Sequence, residues 1–235
     1  MLEKQNFSVQ DFESINEQDY RRRTNKSHVF HSLEWTKIVK ETLKVDCKIA
    51  LLKENNRVVA SIPFVSYRNL IKGQCALPLQ FSGYYDSIAA NNDDIKKEIL
   101  IQFFKYCKEH NFFTQIPEIN LIKGHQYFSG YSIYKIELEA NSSVEDQILA
   151  RASKRMRDYI KKAIKSDLVS CTGGMELLNN FYFLYLQNMK ELGTPPLPKT
   201  YFKKIIECLP KIARIILVKN QKQVCSGMFV LKVSK

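Results

Sequence analysis

The sequence predicts a mixed α/β (α+β) fold, because helical and strand-like hydrophobic patterns alternate along its 235 residues. Several segments repeat apolar residues every three or four positions, which is typical of helices packed on a core. Others are short apolar runs bounded by turn residues, which is typical of strands. Apolar residues make up 45% of the chain and aromatic residues 11%, so the composition argues against a disordered chain.

The first domain is predicted over residues 26–140, after a polar N-terminal segment, 1–25. Its first helix carries Trp35, Ile38 and Val39 on one apolar face. Its second helix opens with acidic residues and ends with basic ones, as the helix dipole prefers. The expected elements are, in chain order, a helix at 30–44, a hairpin over 46–67 that turns at Asn55 and Asn56, a strand before Pro78, an aromatic loop around Gly83, a helix at 91–112, and strands at 112–122 and 130–140.

The second domain is predicted over residues 141–235, with its border at 139–143. It starts with a long helical pattern, 141–167, in which Ser142 and Glu145 have the spacing of a capping box. One face of this pattern is apolar and is expected to pack on the core. The opposite face is basic and holds Arg151, Lys154, Arg155, Arg157, Lys161, Lys162 and Lys165. The remaining expected elements are helices at 175–193, with Gly193 as the C-cap, and 198–209, and a hairpin that turns near Asn220.

The formal charge of +12 favours an anionic partner, which leaves a nucleic acid, a membrane surface and a small anionic substrate open. The six cysteines show no C-x-x-C spacing, and the four histidines fall in no metal-ligand pattern, so no metal site is predicted. The thiols are expected to be reduced and largely buried. Without a signal-peptide pattern or a membrane-spanning run, a cytoplasmic location is expected, and peripheral membrane contact stays open.

Five segments occur in an order that resembles the FemAB family of acyl and aminoacyl transferases. The resemblance covers roughly residues 25–235 and is greatest to members associated with exopolysaccharide and PEP-CTERM export systems. Its most specific part is "NMKELGTPP" followed by "TYFKKI", after a basic helix. The segments are "FHSLEWTKIVKETL", "VVASIPFVSY", "LPLQFSGYYDS", "ASKRMRDYIKKAIKSDL" and "FYFLYLQNMKELGTPPLPKTYFKKI".

The resemblance implies two tandem GNAT-like (acyl-CoA N-acyltransferase) domains, with mixed sheets flanked by helices and the substrate in a cleft between the domains. A GNAT unit normally continues past its hairpin into a strand, a donor-binding helix and further strands. The second domain, 141–235, is therefore expected to be incomplete. Either the chain is part of a larger protein, or another chain supplies the missing sheet, or the protein is catalytically inactive.

The family also implies candidate site residues. Lys37 matches a basic residue that meets acceptor phosphate, although a solvated helix lysine is equally consistent with the pattern. Tyr84, Tyr85 and Asp86 match an aromatic and acidic loop of the substrate site. Asp86 is the candidate catalytic residue of this loop, since it could accept a hydrogen bond from an amine or hydroxyl nucleophile. The alternative is that Asp86 is an ordinary acidic residue of a turn.

Three further candidates lie in the second domain. Arg157 and Lys161, one helical turn apart, match a diphosphate-binding face, for which the fork of an arginine is well suited. On this basis, Arg157→Glu should weaken acceptor binding and leave stability unchanged. Tyr201 matches a substrate-binding aromatic residue, with a core position as the alternative.

The function implied by the resemblance is acyl or aminoacyl transfer to a cell-envelope precursor, of peptidoglycan or of an exopolysaccharide. No cofactor is expected to be bound permanently. The acyl donor would be a co-substrate: an acyl-CoA, an acyl carrier or an aminoacyl-tRNA. Residues 174–220 leave no room for the long helical arm of the tRNA-dependent members. Two alternatives stay open: an acetyl-CoA-dependent N- or O-acetyltransferase, and a non-catalytic basic module that binds RNA or anionic surfaces.

Overall fold

A computed structural model describes residues 5–18, 20, 29–78, 88–116, 136, 138–139, 141–221 and 223–232. These residues fall into two compact units: unit 1 holds those up to 116, and unit 2 holds those from 136 onward. Each unit combines helices with one antiparallel sheet, so the α+β class predicted from the sequence is confirmed. Among the helices of the described ranges, none combines the length and the apolar character needed to cross a membrane.

The sheet of unit 1 has five antiparallel strands in the order β1-β2-β3-β4, with β5 also paired to β3. Asn55 and Asn56 join β2 to β3 with φ angles of 48° and 61°. Two left-handed residues in a two-residue loop give the tight turn that the sequence predicts. The strands are β1 (Gln5–Asp11), β2 (Asp46–Glu54), β3 (Arg57–Asn69), β4 (Gly73–Pro78) and β5 (Ala89–Ala90).

Unit 1 contains helices α1 (Leu33–Leu43) and α2 (Asp93–Glu109), and both start at side-chain caps. Ser32 Oγ accepts the backbone N–H of Trp35, and Asn92 Oδ1 accepts that of Ile95. These bonds satisfy N–H groups that a helix start otherwise leaves without partners. Both helices thus form where the sequence predicts them.

A large core cluster of unit 1 lies between α2 and the sheet, and a smaller one gathers Tyr20, Ile49, Leu51 and Val58. The ring of Phe103 on α2 meets the ring of Phe64 on β3 edge to face, with 5.1 Å between the centroids. Around this pair the buried residues include Leu52, Ile62, Ala76, Ile88, Ile99, Leu100 and Cys107. Burial of these apolar side chains is the main force that holds the helix on the sheet.

Unit 1 departs from the sequence prediction at its start and after α2. The predicted domain begins at residue 26, but β1 pairs with β2 over its whole length, from Gln5 to Asp11, and belongs to the same sheet. The described part of the strand predicted at 112–122 holds a single parallel bridge, between Phe113 and Cys75. The described residues of the strand predicted at 130–140 have no strand structure. The aromatic loop around Gly83 lies outside the described residues.

Unit 2 has a three-stranded antiparallel sheet in the order β6-β7-β8, and four helices. Its strands are β6 (Leu168–Gly173), β7 (Ala213–Asn220) and β8 (Gln223–Leu231). Its helices are α3 (Val144–Arg151), α4 (Lys154–Ile164), α5 (Leu178–Glu191) and α6 (Lys199–Cys208). The hairpin predicted near Asn220 is confirmed, with Asn220 opposite Gln223.

The core of unit 2 is formed by α5, α6 and β7. Phe181 of α5 and Phe202 of α6 meet edge to face at 5.2 Å between ring centroids. The other buried residues of these elements are Leu178, Tyr201, Ile205, Ile206, Ala213, Ile215 and Leu217. Packing on these rings fixes α5 and α6 against the sheet.

The end of α5 confirms the predicted role of Gly193. Its φ is 62°, in the left-handed region that glycine adopts without strain. The Gly193 N–H donates to the carbonyl of Lys190, and the Thr194 N–H donates to that of Met189. This pair of bonds is the Schellman motif, which satisfies carbonyls that the helix end would otherwise leave open.

The predicted long helix over 141–167 is two helices, separated at Ala152–Ser153. Ser153 starts α4 with a hydrogen bond from the Met156 N–H to its Oγ, 3.2 Å long. At the start of α3 the cap is Ser143 rather than the predicted Ser142, because Ser143 Oγ accepts the N–H of Asp146.

The apolar face predicted to pack on the core is exposed instead. Neither α3 nor α4 has a buried residue. The exposed apolar side chains of the two helices are Val144 (54% exposed), Ile148 (40%), Met156 (52%), Tyr159 (50%) and Ile164 (70%). In unit 2, the helices that pack on the sheet are α5 and α6. An amphipathic pattern alone therefore did not show which helices of this unit pack on the core.

All six cysteines lie in the described residues and are free thiols. Cys47, Cys75 and Cys107 are buried, as the sequence predicts. Cys208 and Cys225 are exposed, so the prediction of largely buried thiols is wrong for these two.

Candidate functional site

Four of the predicted site residues, Lys37, Arg157, Lys161 and Tyr201, lie in the described part of the chain. Tyr84, Tyr85 and the candidate catalytic residue Asp86 lie outside the described residues. Of the four, Arg157 and Lys161 share helix α4, and Tyr201 belongs to the core of the same unit. Lys37 belongs to unit 1.

The first turn of α4 carries cations, whereas the first turns of α1, α2 and α3 carry acids. Lys154 and Arg155 occupy this turn, which has no acidic residue. The helix dipole places a partial positive charge at a helix start, so each cation there is unfavourable by about 0.3–1 kcal/mol. By contrast α2 starts with two aspartates, and α3 with a glutamate and an aspartate. The start of α4 is therefore electrostatically suited to an anion.

Arg157 is tied to the end of the preceding helix. Its Nη1 donates to the carbonyl of Ala152 at 2.6 Å and, at 3.5 Å, to that of Leu149. These carbonyls lie at the C-terminal end of α3, where a helix lacks internal donors. The side chain is half-buried there. Arg157 thus has a structural contact that sequence reasoning missed. The signal that could have revealed it was Ser153, a residue type that favours N-caps, inside the helical pattern.

Two neighbours of Arg157 on α4 complete a cationic surface. Lys161 is exposed and follows one helical turn later. Arg155 is exposed, and its Nε donates to the hydroxyl of Tyr159 at 3.0 Å. Its guanidinium also lies 5.4 Å from the centroid of that ring. The basic face, defined here as Lys154, Arg155, Arg157, Lys161, Lys162 and Lys165, is thus an exposed surface of a regular helix.

Lys37 is exposed on α1, with its Nζ 3.8 Å from a carboxylate oxygen of Glu41 on the next turn. Its side chain is 59% exposed, so this ion pair contributes little to stability. A solvated helix lysine and a phosphate-binding residue would both have this environment, so its substrate role stays a prediction.

Tyr201 is 2% exposed on α6. Desolvation raises the pKa of its hydroxyl above the ordinary value, with Tyr185 adding to the shift. A phenol held neutral in the core has a packing role. Its predicted substrate contact stays a prediction.

The loop 192–198, which follows α5 within the longest segment of the FemAB resemblance, is hydrogen-bonded at Leu197 to two tyrosines of α5. The hydroxyl of Tyr182 donates to the carbonyl of Leu197 at 3.2 Å, and the N–H of Leu197 donates to the hydroxyl of Tyr185 at 2.9 Å. Both polar groups of one loop residue are thereby satisfied. These two hydrogen bonds fix the loop that connects α5 to α6.

A hollow of about 530 Å³ in unit 1 is lined by charges that pair with one another. Lys40 donates to Glu13, which lowers the pKa of Glu13 and raises the pKa of Lys40. Lys48 lies 3.3 Å from Asp11. The lining residues are Asp11, Glu13, Ser14, Lys40, Asp46, Cys47 and Lys48. Because Lys40 and Lys48 are paired with Glu13 and Asp11, this hollow is less suited to bind an anion than the basic face.

Within the described ranges, no three metal-ligating side chains come together.

The structure of this chain is similar to the crystal structure of another protein, FemX. The TM-score is 0.56 at 14% sequence identity, and the similarity covers 90% of this chain. The chain spans 57% of the length of FemX. At this identity the likeness shows a common α+β fold. No protein-family model matches the sequence, and no curated protein matches it.

Proposed function

We propose that the chain is an acyl- or aminoacyl-transferase of the FemAB type that acts on an anionic cell-envelope precursor, of peptidoglycan or of an exopolysaccharide. The fold similarity to FemX, over 90% of the chain, carries the proposal. The ordered sequence motifs support it independently, because they resemble the FemAB family, to which FemX belongs. The tandem GNAT-like organisation is part of the proposal.

The basic face is the proposed contact for the phosphate groups of the precursor. Five of its six cations are exposed. The acid-free start of α4 adds the positive end of the helix dipole. Arg157 would contribute only the guanidinium N–H groups that remain beside its Nη1 contacts, since a guanidinium has five donors. Lys161 is therefore the cleaner phosphate contact of the two predicted residues.

The proposed reaction is attack by an acceptor amine or hydroxyl on the ester or thioester carbonyl of the donor. The new C–N or C–O bond forms as the bond to the tRNA oxygen or thiol sulfur breaks, and the proton lost by the nucleophile ends on the leaving hydroxyl or thiol group. Orientation of the two substrates supplies most of the acceleration, and no covalent enzyme intermediate is needed. Asp86 is the proposed hydrogen-bond acceptor for the nucleophile.

The donor is proposed to be an acyl-CoA, an acyl carrier or an aminoacyl-tRNA. Between β6 and β8, the described residues form the 3-10 helix Met175–Leu177, helices α5 and α6, and strand β7. The long helical arm of the tRNA-dependent members is not present among them, so a thioester donor is favoured over a charged tRNA. An acetyl-CoA-dependent N- or O-acetyltransferase is the alternative to this proposal within the same donor class.

The test is transfer of a labelled group to a nucleotide-linked muramyl peptide. The full chain is incubated with the acceptor and separately with acetyl-CoA or a mixture of aminoacyl-tRNAs, and the acceptor mass is measured. We expect a mass increase of one acyl or aminoacyl group with one donor class. A mass unchanged with both donor classes would contradict the proposal for peptidoglycan precursors, and an acidic oligosaccharide tested in the same way would decide the exopolysaccharide form.

A further inference from the structure

The loop between β3 and β4 presents two aliphatic side chains entirely to solvent. Leu70 is 103% exposed and Ile71 is 94% exposed, relative to an isolated residue. They are the most exposed large apolar residues among those the structure describes. Single exposed apolar residues are common, but two adjacent and fully exposed ones are an unusual surface.

This exposure is a property of a well-formed turn. Asn69 Oδ1 accepts the N–H of Ile71 at 2.8 Å and that of Lys72 at 3.0 Å. Gly73 has a φ of 73° and pairs with Asn69 across the base of the loop. The loop residues 70–72 are thus followed by a left-handed glycine at the start of β4, a conformation that glycine adopts without strain and that is common in short hairpin connections. The backbone therefore fixes the direction in which the two side chains point.

The loop projects beyond the rest of the sheet. The neighbouring strand β2 begins at Asp46, opposite Ser66 of β3. The last three residues of β3, Tyr67–Asn69, pair in the described sheet with β4 alone. At about 3.3 Å per residue the tip extends roughly 10 Å past β2. Among the described residues none covers the aliphatic pair, although Phe113 lies against the base of the hairpin through its bridge to Cys75. An apolar pair that projects from the end of a hairpin suits a deformable apolar phase better than a shaped protein surface.

Basic residues flank the aliphatic pair. Arg68 and Lys72 border it, and residues 66–74 contain no acid. Lys72 Nζ lies 4.2 Å from the ring centroid of Phe113, which is itself 37% exposed. Lysine side chains that lie along apolar groups keep their amine at a polar boundary. Cations around an apolar tip match the phosphate layer above the acyl chains of an anionic membrane.

We propose that the β3–β4 hairpin tip is a membrane anchor, in which Leu70 and Ile71 enter an anionic bilayer and Arg68 and Lys72 contact lipid phosphates. Membrane binding goes beyond the proposed transfer reaction and does not rest on it. Vesicle binding needs neither donor nor acceptor, so the two proposals can fail separately.

The first test places a fluorescent probe at the tip. The chain has one tryptophan, Trp35, which is 4% exposed and provides a constant background. The Ile71→Trp variant is mixed with vesicles of phosphatidylcholine containing roughly 30% phosphatidylglycerol, whose charge attracts basic segments. We expect a blue shift of the added tryptophan and quenching by brominated acyl chains. Binding without quenching would show adsorption through another surface, such as the basic face, and would overturn the proposal.

The second test measures affinity with matched variants. Replacing both Leu70 and Ile71 by serine should weaken binding at least tenfold, because two aliphatic side chains no longer leave water. Ile101→Ser is the control, since Ile101 is an exposed aliphatic residue on α2 and is 48% exposed. Its affinity should stay within twofold of the parent chain.

The third test separates the charges from the apolar pair. Arg68→Gln with Lys72→Gln should weaken binding to anionic vesicles by about tenfold or more and leave weak binding to neutral vesicles unchanged. Because all four positions are at the surface of a hairpin, the melting temperature should not change. A chain that binds neither vesicle type, or whose double-serine variant binds as well as the parent, would refute the anchor.

Discussion

Arg157→Gln should loosen helix α3, because the substitution removes the donor at the end of that helix. Arg157 Nη1 donates to the carbonyls of Ala152, at 2.6 Å, and Leu149, at 3.5 Å. A hydrogen bond from a charged group contributes about 1.5–3 kcal/mol, and a cation at a helix C-terminus contributes about 0.3–1 kcal/mol. The second bond is long and the side chain is half-buried, so the expected loss is about 1–2 kcal/mol.

The assay is hydrogen exchange of the backbone amides of α3 in the native protein. A loss of about 1–2 kcal/mol corresponds to exchange that is about 5–30 times faster. Arg155→Gln is the matched control, because Arg155 is exposed and its Nε bonds to Tyr159 within the same helix. It should change the exchange of α3 less than twofold.

An unchanged exchange rate of α3 in Arg157→Gln would refute this reasoning. The guanidinium would then have no structural role, as the sequence alone predicts. If α3 does loosen, a binding defect of an Arg157 variant combines the loss of a phosphate contact with the loss of the contact to α3. Lys161 is then the residue with which to test substrate binding.

Three other substitutions or conditions give direct tests of the packing. Tyr185→Phe removes the acceptor for the N–H of Leu197 and should lower the free energy of unfolding by about 1 kcal/mol in urea titrations; an unchanged midpoint would show that water replaces the hydroxyl. Burial raises the pKa of the Cys47 and Cys107 thiols from 9.0 to about 12. Both stay protonated in the fold while the unfolded thiols ionise, so stability should fall as the pH rises from about 9 towards 12, and alkylation of these two at neutral pH should require unfolding; rapid alkylation of either in the native chain would contradict their burial. Gly227→Ala would place a Cβ 2.9 Å from the nearest leucine carbon, and should cost about 1–3 kcal/mol in the same titrations; a neutral effect would mean that the contact relaxes freely.

The local elements were predictable where a few neighbouring residues decide the backbone. Asn55 and Asn56 favour a left-handed turn by their own chemistry, and Gly193 ends a helix for the same reason. The start of α2 follows from Asn92 and the aspartates after it. None of these depends on residues far along the chain.

The remaining features depend on long-range contacts that a single sequence does not display. The segment Gln5–Asp11 is polar, and its pairing with β2 gives it strand structure. The apolar face of α3 and α4 has the pattern of a core helix, but α5 and α6 occupy the core side of the sheet in their unit. The contact between Arg157 and α3 required the break at Ser153, which a continuous helical pattern concealed.

The central claim is that this chain transfers an acyl or aminoacyl group to an anionic precursor that the basic face binds. The most direct measurement is kcat/KM for the acceptor in the parent chain, in Lys161→Glu and in Lys108→Glu. Lys108 is a matched control, because both lysines are exposed and lie in the last turn of a helix.

Reversal of a charge that contacts phosphate should lower kcat/KM about 10–100-fold through KM, whereas Lys108→Glu should stay within twofold. Equal values for the two variants, or no transfer by the parent chain, would contradict the account.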